Sequence, residues 1–300
     1  MDTAAIDVKN LTKNYGSFQS VKGIDLRVEY GEIFALLGPN GAGKTTTMEI
    51  LEGHREKTSG EVSVLGHDPF KNDLGFRSQI GIVLQETGLD PYLTVEETIK
   101  QYAGFYANPK PVEEVLYLTN LQGHRGSKVR QLSGGLQRRL DVAIGLAGDP
   151  NLIFLDEPTT GFDPNARRNT WDTIKSLKDV GKTILLTTHY MEEAEELADR
   201  IAIMADGYIH IAGTLSDIRG TQKSSNIQFK ATETNINLPS DLAKMARFPT
   251  GQISIETDDP VNVLLQLTNW ATSNNIMLPN LTVKEQSLED IFLSWTQKQR

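Results

Sequence analysis

The sequence contains no cysteine among its 300 residues. Disulfide bonds and thiolate metal sites are therefore excluded, and the absence is consistent with a reducing compartment. Long hydrophobic runs are also missing, because stretches such as 33–37 and 152–155 fall far short of the roughly 18 apolar residues that a membrane helix requires. We therefore expect a chain that does not cross a bilayer by itself.

An excess of basic residues is the third feature that is missing. The formal net charge is −9, with 30 Lys and Arg against 39 Asp and Glu. Binding to nucleic acid depends on basic side chains that replace condensed counterions, so no nucleic-acid partner is expected. Acidic Asp2 and Asp7 stand where a secretory signal would carry basic residues, and no apolar segment follows them. We expect a cytoplasmic chain.

The spacing of apolar residues predicts a large α/β domain over residues 1–220. Alternating residues between 6 and 28 predict a small antiparallel sheet, and a pair of strands is predicted at 61–65 and 79–84. Helical periodicity dominates from about 86 to 150 and predicts a helical subdomain. Elsewhere, apolar strands alternate with helices, which is typical of a parallel sheet covered by helices. The predicted strands are 33–37, 152–155, 183–187 and 201–204, and the predicted helices are 44–52, 164–180 and 191–199.

The character of the chain changes after residue 220. A polar stretch at 221–225 resembles a linker, and residues 221–300 form a predicted small α/β accessory domain. Its predicted strands are 227–230, 252–256 and 281–284, and its predicted helices are 242–246, 261–271 and 288–296.

Residues 38–45, with the sequence GPNGAGKT, match the phosphate-loop pattern GxxxxGK[ST] at every fixed position. Glycines Gly38, Gly41 and Gly43 allow backbone N–H groups to converge on phosphates, and the following helix presents its positive end. Lys44 would neutralise the outer phosphates, and the hydroxyl of Thr45 suits a magnesium ligand. The preceding strand and following helix are the context that such a loop requires.

Asp156 and Glu157 end the apolar stretch 152–155. Magnesium bound to ATP needs a carboxylate, and hydrolysis needs a group that orients or deprotonates water. Neighbouring side chains on a strand point to opposite faces, but the chain curls where the strand ends. We therefore expect both carboxylates to reach one cavity and to divide these two tasks.

A second anion site is predicted in the sequence LSGGLQRR, residues 132–139. Ser133 can cap a helix, and Gly134 and Gly135 would expose backbone N–H groups at its positive end. Two anion sites and one magnesium carboxylate in a single chain suggest a site shared between two copies.

In motif order and over residues 5–220, the sequence closely resembles the nucleotide-binding subunits of ATP-binding cassette (ABC) transporters. The resemblance implies a P-loop NTPase fold of ABC type, with a mixed sheet core, antiparallel strands and a helical subdomain. It implies ATP as the substrate and Mg²⁺ as the cofactor.

The resemblance also implies a role for individual residues. Tyr15 would stack on adenine, and Gln85 would contact magnesium and the attacking water and relay to the membrane partner. Asp156 would be the magnesium carboxylate and Glu157 the catalytic base, while His189 would contact the γ-phosphate and the water. The residues implied to hold the phosphates with magnesium are Gly38, Pro39, Asn40, Gly41, Ala42, Gly43, Lys44, Thr45 and Thr46.

Further implied roles concern an opposing subunit. Ser133, Gly134 and Gly135 would contact the γ-phosphate of ATP bound there, and Asp163 would communicate across the interface. Leu136 stands where the family usually has glutamine, and Phe162 where leucine is common. Contacts that this glutamine would make across the interface are therefore in question.

Taken alone, several of these residues have simpler interpretations. Tyr15 could be a packing aromatic in a turn, Gln85 a plain strand end, and His189 a hydrogen-bonded histidine after a strand. The acidic run 192–196 is interpreted as a solvated helix face.

The end of the chain, QSLEDIFL at 286–293, resembles the ending of ATPase subunits in drug, lipid and antibiotic exporters whose permease is a separate chain. The resemblance therefore implies an ATPase that dimerises, with itself or a paired subunit, and drives a membrane permease from the cytoplasmic face. The alternative is a soluble ABC ATPase that acts on ribosomes, DNA or cluster assembly. A nucleotide-gated regulatory module is disfavoured by the intact Glu157 and His189.

Overall fold

The computed structural model describes residues 4–71, 74–83, 88–220, 225–230, 238–247, 252–285, 288–289 and 291–292. Contacts between Cα atoms divide the chain into two units, the first ending at Thr214 and the second beginning at Leu215. The domain boundary predicted from the sequence, after residue 220, lies six residues later. It falls at the end of the helix Leu215–Gly220, which the contacts assign to the second unit. Within the described ranges, no helix has the length and hydrophobicity of a membrane span.

The first unit contains nine strands and seven α-helices among its described residues. Its strands are β1 (Ala4–Tyr15), β2 (Phe18–Glu29), β3 (Ile33–Leu37), β4 (Ser59–Val64), β5 (Ile80–Val83), β6 (Leu152–Asp156), β7 (Thr183–Thr188), β8 (Arg200–Ala205) and β9 (Tyr208–Gly213). Its helices are α1 (Lys44–Leu51), α2 (Leu74–Arg77), α3 (Val95–Ala103), α4 (Val112–Leu118), α5 (Gly134–Leu146), α6 (Pro164–Asp179) and α7 (Met191–Leu197).

Strands β1, β2 and β4 form a three-stranded antiparallel sheet in the order β2-β1-β4. The alternation of apolar residues in β1 and β2 explains it, because one face is buried while polar residues remain outside. The antiparallel sheet predicted for residues 6–28 is confirmed.

A six-stranded sheet in the order β5-β6-β7-β3-β8-β9 forms the centre of this unit. The first five strands in this order are parallel, and β9 pairs antiparallel to β8. Every residue of β3 and β7 is buried, which explains the continuous apolar sequence of β3 and the apolar centre of β7 at residues 184–186. Because parallel strands end at the same edge, the loops after β3, β6 and β7 meet there.

The pairing predicted for strands 61–65 and 79–84 is wrong. Strand β4 pairs with β1 in the antiparallel sheet, whereas β5 lies beside β6 in the parallel sheet. Their proximity in sequence suggested a pair, but β5 is an edge strand whose register is set by β6. Strand β9 is not predicted from the sequence, because this edge strand pairs with β8 alone and none of its residues is buried.

Helices α3, α4 and α5 occupy the region predicted to be helical. Helix α3 begins with a capping box, in which Thr94 accepts from the backbone N–H of Glu97 at 3.2 Å and Glu97 accepts from that of Thr94 at 2.8 Å. This reciprocal pair satisfies two N–H groups that would otherwise lack partners. Residues 84–87, which include Gln85, lie outside the described residues.

The second unit contains helix α8 (Leu215–Gly220) and a small α/β structure. Its strands are β10 (Ser225–Lys230), β11 (Ala246–Arg247), β12 (Gln252–Thr257) and β13 (Thr282–Glu285), and its other helices are α9 (Ser240–Met245) and α10 (Pro260–Ser273). The sheet has the order β11-β12-β10-β13 and every pair is antiparallel. Its core includes Phe229, Ile253, Ile255 and Leu267. The predicted strands and the two internal helices are confirmed, while the helix predicted at 288–296 is described only at four positions.

Candidate nucleotide-binding and hydrolysis site

The phosphate loop joins the end of β3 to the start of α1. Gly43 has a φ of 105° and caps α1, and a Cβ there would lie 2.7 Å from the carbonyl oxygen of Ser20. Only glycine suits this backbone and this close approach. Thr46 follows within the helix and accepts a hydrogen bond from the hydroxyl of Ser20 at 3.2 Å. Pro39, Asn40 and Gly41 are exposed, whereas Gly38 and Ala42 are buried.

The Lys44 ammonium group lies over this loop. Its Nζ donates to the carbonyl oxygens of Gly38 at 2.8 Å and Pro39 at 3.2 Å, and it lies 3.6 Å from Oε1 of Glu157. Burial lowers the pKa of Lys44, and the negative charges of Glu157 and Asp156 partly offset this effect. The lysine is therefore a desolvated cation, held mainly by carbonyl groups that an anionic phosphate could replace.

Asp156 ends β6 directly beside the phosphate loop. Its Oδ2 accepts from the hydroxyl of Thr45 at 3.5 Å, and its Oδ1 accepts from the hydroxyl of Thr187 on β7. A hydroxyl and a carboxylate thus converge as hard oxygen donors, the ligand type that Mg²⁺ prefers together with water and phosphate oxygens. Thr45 and Asp156 therefore fit a magnesium ion bound with a nucleotide.

The chain turns sharply at Glu157, which has a φ of 45°. This left-handed conformation is uncommon for a residue with a Cβ and is strained. The Glu157 N–H donates to the backbone oxygen and hydroxyl of Thr187, at 3.2 and 3.1 Å. The turn brings the side chains of Asp156 and Glu157 to the same phosphate loop. This is the arrangement that we predicted from the curling of the chain at the end of the strand.

The Glu157 carboxylate lies beside the Lys44 ammonium group and two further side chains, Thr160 and His189. Thr160 donates to its Oε2 at 3.1 Å, and Nδ1 of His189 lies 3.3 Å from its Oε1. Burial raises the pKa of Glu157, but the contacts with His189 and Thr160 and the charge of Lys44 outweigh it and lower the pKa overall. Glu157 is therefore ionised at neutral pH and can act as a proton acceptor.

Tyr15 lies at the end of β1 with its ring partly exposed. The charged groups of Lys13 and Arg55 lie over this ring, at 5.2 and 5.3 Å from its centroid. A packing role in the core does not fit this exposure. An exposed ring with cations beside it can accept a planar base by stacking.

The glycine-rich segment 132–139 follows α4 and includes the start of α5 at Gly134. Ser133 caps the helix, because its Oγ accepts from the N–H of Leu136 at 3.4 Å. A Cβ added to Gly134 would meet no atom within 4 Å, and Gly135 approaches only Ala166. This exposed helix start can receive an anion from another molecule.

Asp163 caps the next long helix, α6. Its Oδ1 accepts from the N–H groups of Asn165 and Ala166 at 2.9 and 3.0 Å. The structure therefore shows a local capping role for Asp163, while its role across an interface stays a prediction. The role predicted for Gln85 also stays a prediction, since this residue lies outside the described residues.

Two buried ionisable side chains near the site, Glu193 and Arg138, are not predicted from the sequence. The run 192–196 was interpreted as a solvated face, but Glu193 is fully buried and accepts from Thr159 Oγ1 at 2.7 Å and Trp171 Nε1 at 3.1 Å. Arg138 in α5 is also buried, and its guanidinium contacts the turn that carries Glu157. The sequence does contain one signal for the burial of Glu193. At helical spacing this residue shares a face with the apolar Ala194 and Leu197, and all three are buried.

Comparisons with known proteins agree with this geometry. The model of the protein family described as "ABC transporter" matches residues 21–160. The chain is 32% identical to the daunorubicin resistance ATP-binding protein DrrA3 of Streptomyces coeruleorubidus over 99% of this chain and 97% of that protein. It is 34% identical to the linearmycin resistance ATP-binding protein LnrL of Bacillus subtilis, covering 97% of this chain and 98% of that one.

Two solved structures are also similar to this chain. A dimeric bacterial ABC transporter cassette aligns with a TM-score of 0.62 and 30% identity, covering 70% of this chain and 98% of that one. A second dimeric cassette structure, in a post-hydrolysis state with ADP and phosphate bound, aligns with a TM-score of 0.61 and 29% identity, covering 70% and 98%. The mixed sheet is therefore the fold of a nucleotide-binding cassette.

The left-handed turn at Glu157 predicts an inverted order of stability for two substitutions. At an ordinary backbone position glycine is less stable than alanine, but here Glu157→Gly should be about 1 kcal/mol more stable than Glu157→Ala, because alanine retains the steric strain. Both variants remove the same carboxylate, so each controls for the other. Urea unfolding of the nucleotide-free proteins measures the difference, and an alanine variant of equal or greater stability would contradict the strained turn.

Glu52, at the end of α1, predicts a pH-dependent stability. Burial, together with the negative charges of Asp156 and Glu49, raises its pKa to about 7. The unfolded carboxyl loses its proton near 4.5, so between these values the folded state binds more protons and stability falls as the pH rises.

Glu52→Gln should therefore stabilise the nucleotide-free protein at pH 8 by up to about 3 kcal/mol, since one pKa unit corresponds to about 1.4 kcal/mol. The gain should shrink towards pH 5. Unfolding in EDTA across this range measures it, and a gain that is constant with pH would rule out the raised pKa.

Proposed function

The chain belongs to the ABC transporter family, and we propose that it is the ATP-hydrolysing subunit of an export complex that drives a separate membrane permease. Members of this family bind ATP, and the chain is an ATPase. The observation that carries the proposal is the alignment with two resistance proteins over at least 97% of this chain, which includes the second unit. We propose that the exported compound is a drug, an antibiotic or a lipid-like molecule.

ATP binding begins at the phosphate loop. The Lys44 ammonium would exchange the carbonyl oxygens of Gly38 and Pro39 for phosphate oxygens, which carry full negative charge. The N–H groups at the start of α1 would face the same phosphates. Tyr15 would stack on the adenine. The cation is buried before the substrate arrives, so its interaction with phosphate is weakly screened by water.

Thr45 and Asp156 would hold the magnesium ion that accompanies ATP. When bound, the ion supplies positive charge that neutralises the phosphate oxygens during transfer. Asp156 is held in place by the Thr187 hydroxyl, so its second oxygen stays directed at Thr45. The predicted additional ligand is Gln85.

Glu157 would act as the general base. Its ionised carboxylate would accept a proton as water attacks the γ-phosphorus, and the bond to the β-phosphate oxygen would break to give ADP and phosphate. His189 lies beside the carboxylate and would contact both the γ-phosphate and the water. When Lys44 moves to the phosphates, one cation leaves the neighbourhood of Glu157 and Oε1 becomes available to the water.

A second copy, or a paired subunit, would complete each site. Ser133, Gly134 and Gly135 form an exposed anion-binding helix start, and ATP in the same chain has its phosphates at a different helix, α1. Two chains in opposed orientation would each supply the helix start that the other lacks. Contacts made to the γ-phosphate only in the closed dimer would provide free energy to move the permease, and hydrolysis would remove them.

Replacing Glu157 by Gln tests this function. The variant should lose steady-state hydrolysis by at least about 100-fold, since the amide cannot accept the proton, while ATP binding and dimer formation persist. Phosphate release and size-exclusion chromatography with ATP measure the two effects, and normal turnover would remove Glu157 from its role.

The export assignment is tested separately by fractionation of the native complex. We expect the chain to co-purify with membranes and with a multi-span permease. Co-purification with ribosomes instead would favour the alternative of an ABC ATPase without a membrane partner.

A further inference from the structure

Arg138 lies in α5, five residues after the capping serine, and only 5% of its side chain is exposed. Its Nε donates to the carbonyl oxygen of Pro158 at 3.1 Å, and its Nη2 donates to that of Asp156 at 3.3 Å. These two carbonyls belong to the residues on either side of Glu157. One planar guanidinium therefore spans the strained turn, a geometry that a lysine ammonium cannot reproduce.

The same turn is held from its other end by Glu193 of α7. Thr159, which follows Pro158, donates from its hydroxyl to Glu193 Oε1 at 2.7 Å. Trp171 of α6 donates to the same oxygen. Glu193 therefore fixes the end of the turn to the helix that follows His189, the neighbour of Glu157.

The buried charge of Arg138 is costly to maintain, and its Nη1 lies 3.8 Å from Oδ2 of the buried Asp141. Burial lowers the pKa of Arg138, and the carboxylates of Asp141, Asp156 and Glu193 act in the opposite direction. Replacing buried charge pairs by apolar residues is often neutral or stabilising, so stability alone is a weak reason to retain them. A requirement for geometry is the stronger reason, because the left-handed turn at Glu157 is strained and must be held from outside.

We propose that Arg138 is a positioning residue for hydrolysis, holding the turn that carries Glu157 and linking it to the α5 helix start at Ser133. This proposal rests on the proposed function, in which Ser133 contacts ATP bound to the opposing copy. A shift of α5 on closure would move the guanidinium and thus the carbonyls on both sides of the base. Binding of nucleotide at one site would in this way set the geometry of the base that serves the other.

Arg138→Lys tests the positioning role, because it keeps the positive charge but loses the planar fork. We expect kcat for ATP hydrolysis to fall about 10- to 100-fold, as small displacements of a catalytic group commonly cost that much, with KM for ATP and nucleotide affinity nearly unchanged. The ATP-bound dimer should still form. Arg125→Lys is the matched control, since the exposed Arg125 guanidinium also binds two partners, Glu96 of α3 and Glu113 of α4, outside the candidate site, and its kcat should equal that of the wild type.

A double substitution separates positioning from general damage. If Arg138 acts through Glu157, Arg138→Lys should not lower the residual single-turnover rate of the Glu157→Gln variant any further. Independent and multiplicative losses would overturn the proposal. So would a normal kcat for Arg138→Lys, or a loss shared equally by kcat, nucleotide affinity and dimer formation.

Thr159→Val provides a second variant should Arg138→Lys fold poorly. It preserves shape and removes the hydroxyl that joins the turn to Glu193, so kcat should fall about tenfold with KM unchanged. An unchanged kcat in this well-folded variant would contradict the proposal. If the wild type and Arg125→Lys protein hydrolyse no ATP in the complex with the permease, the proposed function fails instead.

Discussion

The left-handed turn at Glu157 is the constraint on which the arrangement of the site depends. Strand β6 delivers Asp156 to the edge of the sheet, and an ordinary extended residue after it would point away from the phosphate loop. The turn instead directs both consecutive carboxylates at Lys44 and Thr45. It is strained, and it persists because Thr187 on the neighbouring strand accepts from its N–H and Arg138 binds the carbonyls on either side.

Charge at the site is balanced in a way that favours an incoming phosphate. Lys44 is desolvated and held by two carbonyl oxygens, and Glu157 is kept ionised by its donors. A polyanion would satisfy the lysine more fully than neutral carbonyls do, and the same movement would free the carboxylate. Substrate binding and activation of the proposed base would then be one rearrangement, and premature proton transfer is disfavoured while Lys44 lies beside Glu157.

Local patterns in the sequence predicted most of the fold and the centre of the site. The phosphate loop, the strand before Asp156 and the helix cap at Ser133 each follow from a short stretch whose backbone geometry requires particular residues. Long-range pairing was harder, because nothing local indicates that β5 joins β6 rather than β4. The buried charges were also missed, since Glu193 lies in an acidic run and only the packing of α7 shows which of its carboxylates faces inward. Arg138 required knowledge of which turn the helix covers.

The central claim is that each hydrolysis site combines the phosphate loop and Glu157 of one chain with the helix start at Ser133 of another. Mixing two inactive variants, Lys44→Ala and Ser133→Arg, tests it most directly, because a mixed dimer would contain one site with all its parts intact. The ATPase rate of the mixture should rise clearly above that of either component, to at most about a quarter of the wild-type rate, which random pairing with one intact and independent site in each mixed dimer would give. Coupling between the two sites through Arg138 would lower the rate below this bound. A mixture as inactive as its separate components, despite formation of mixed dimers, would contradict the shared site.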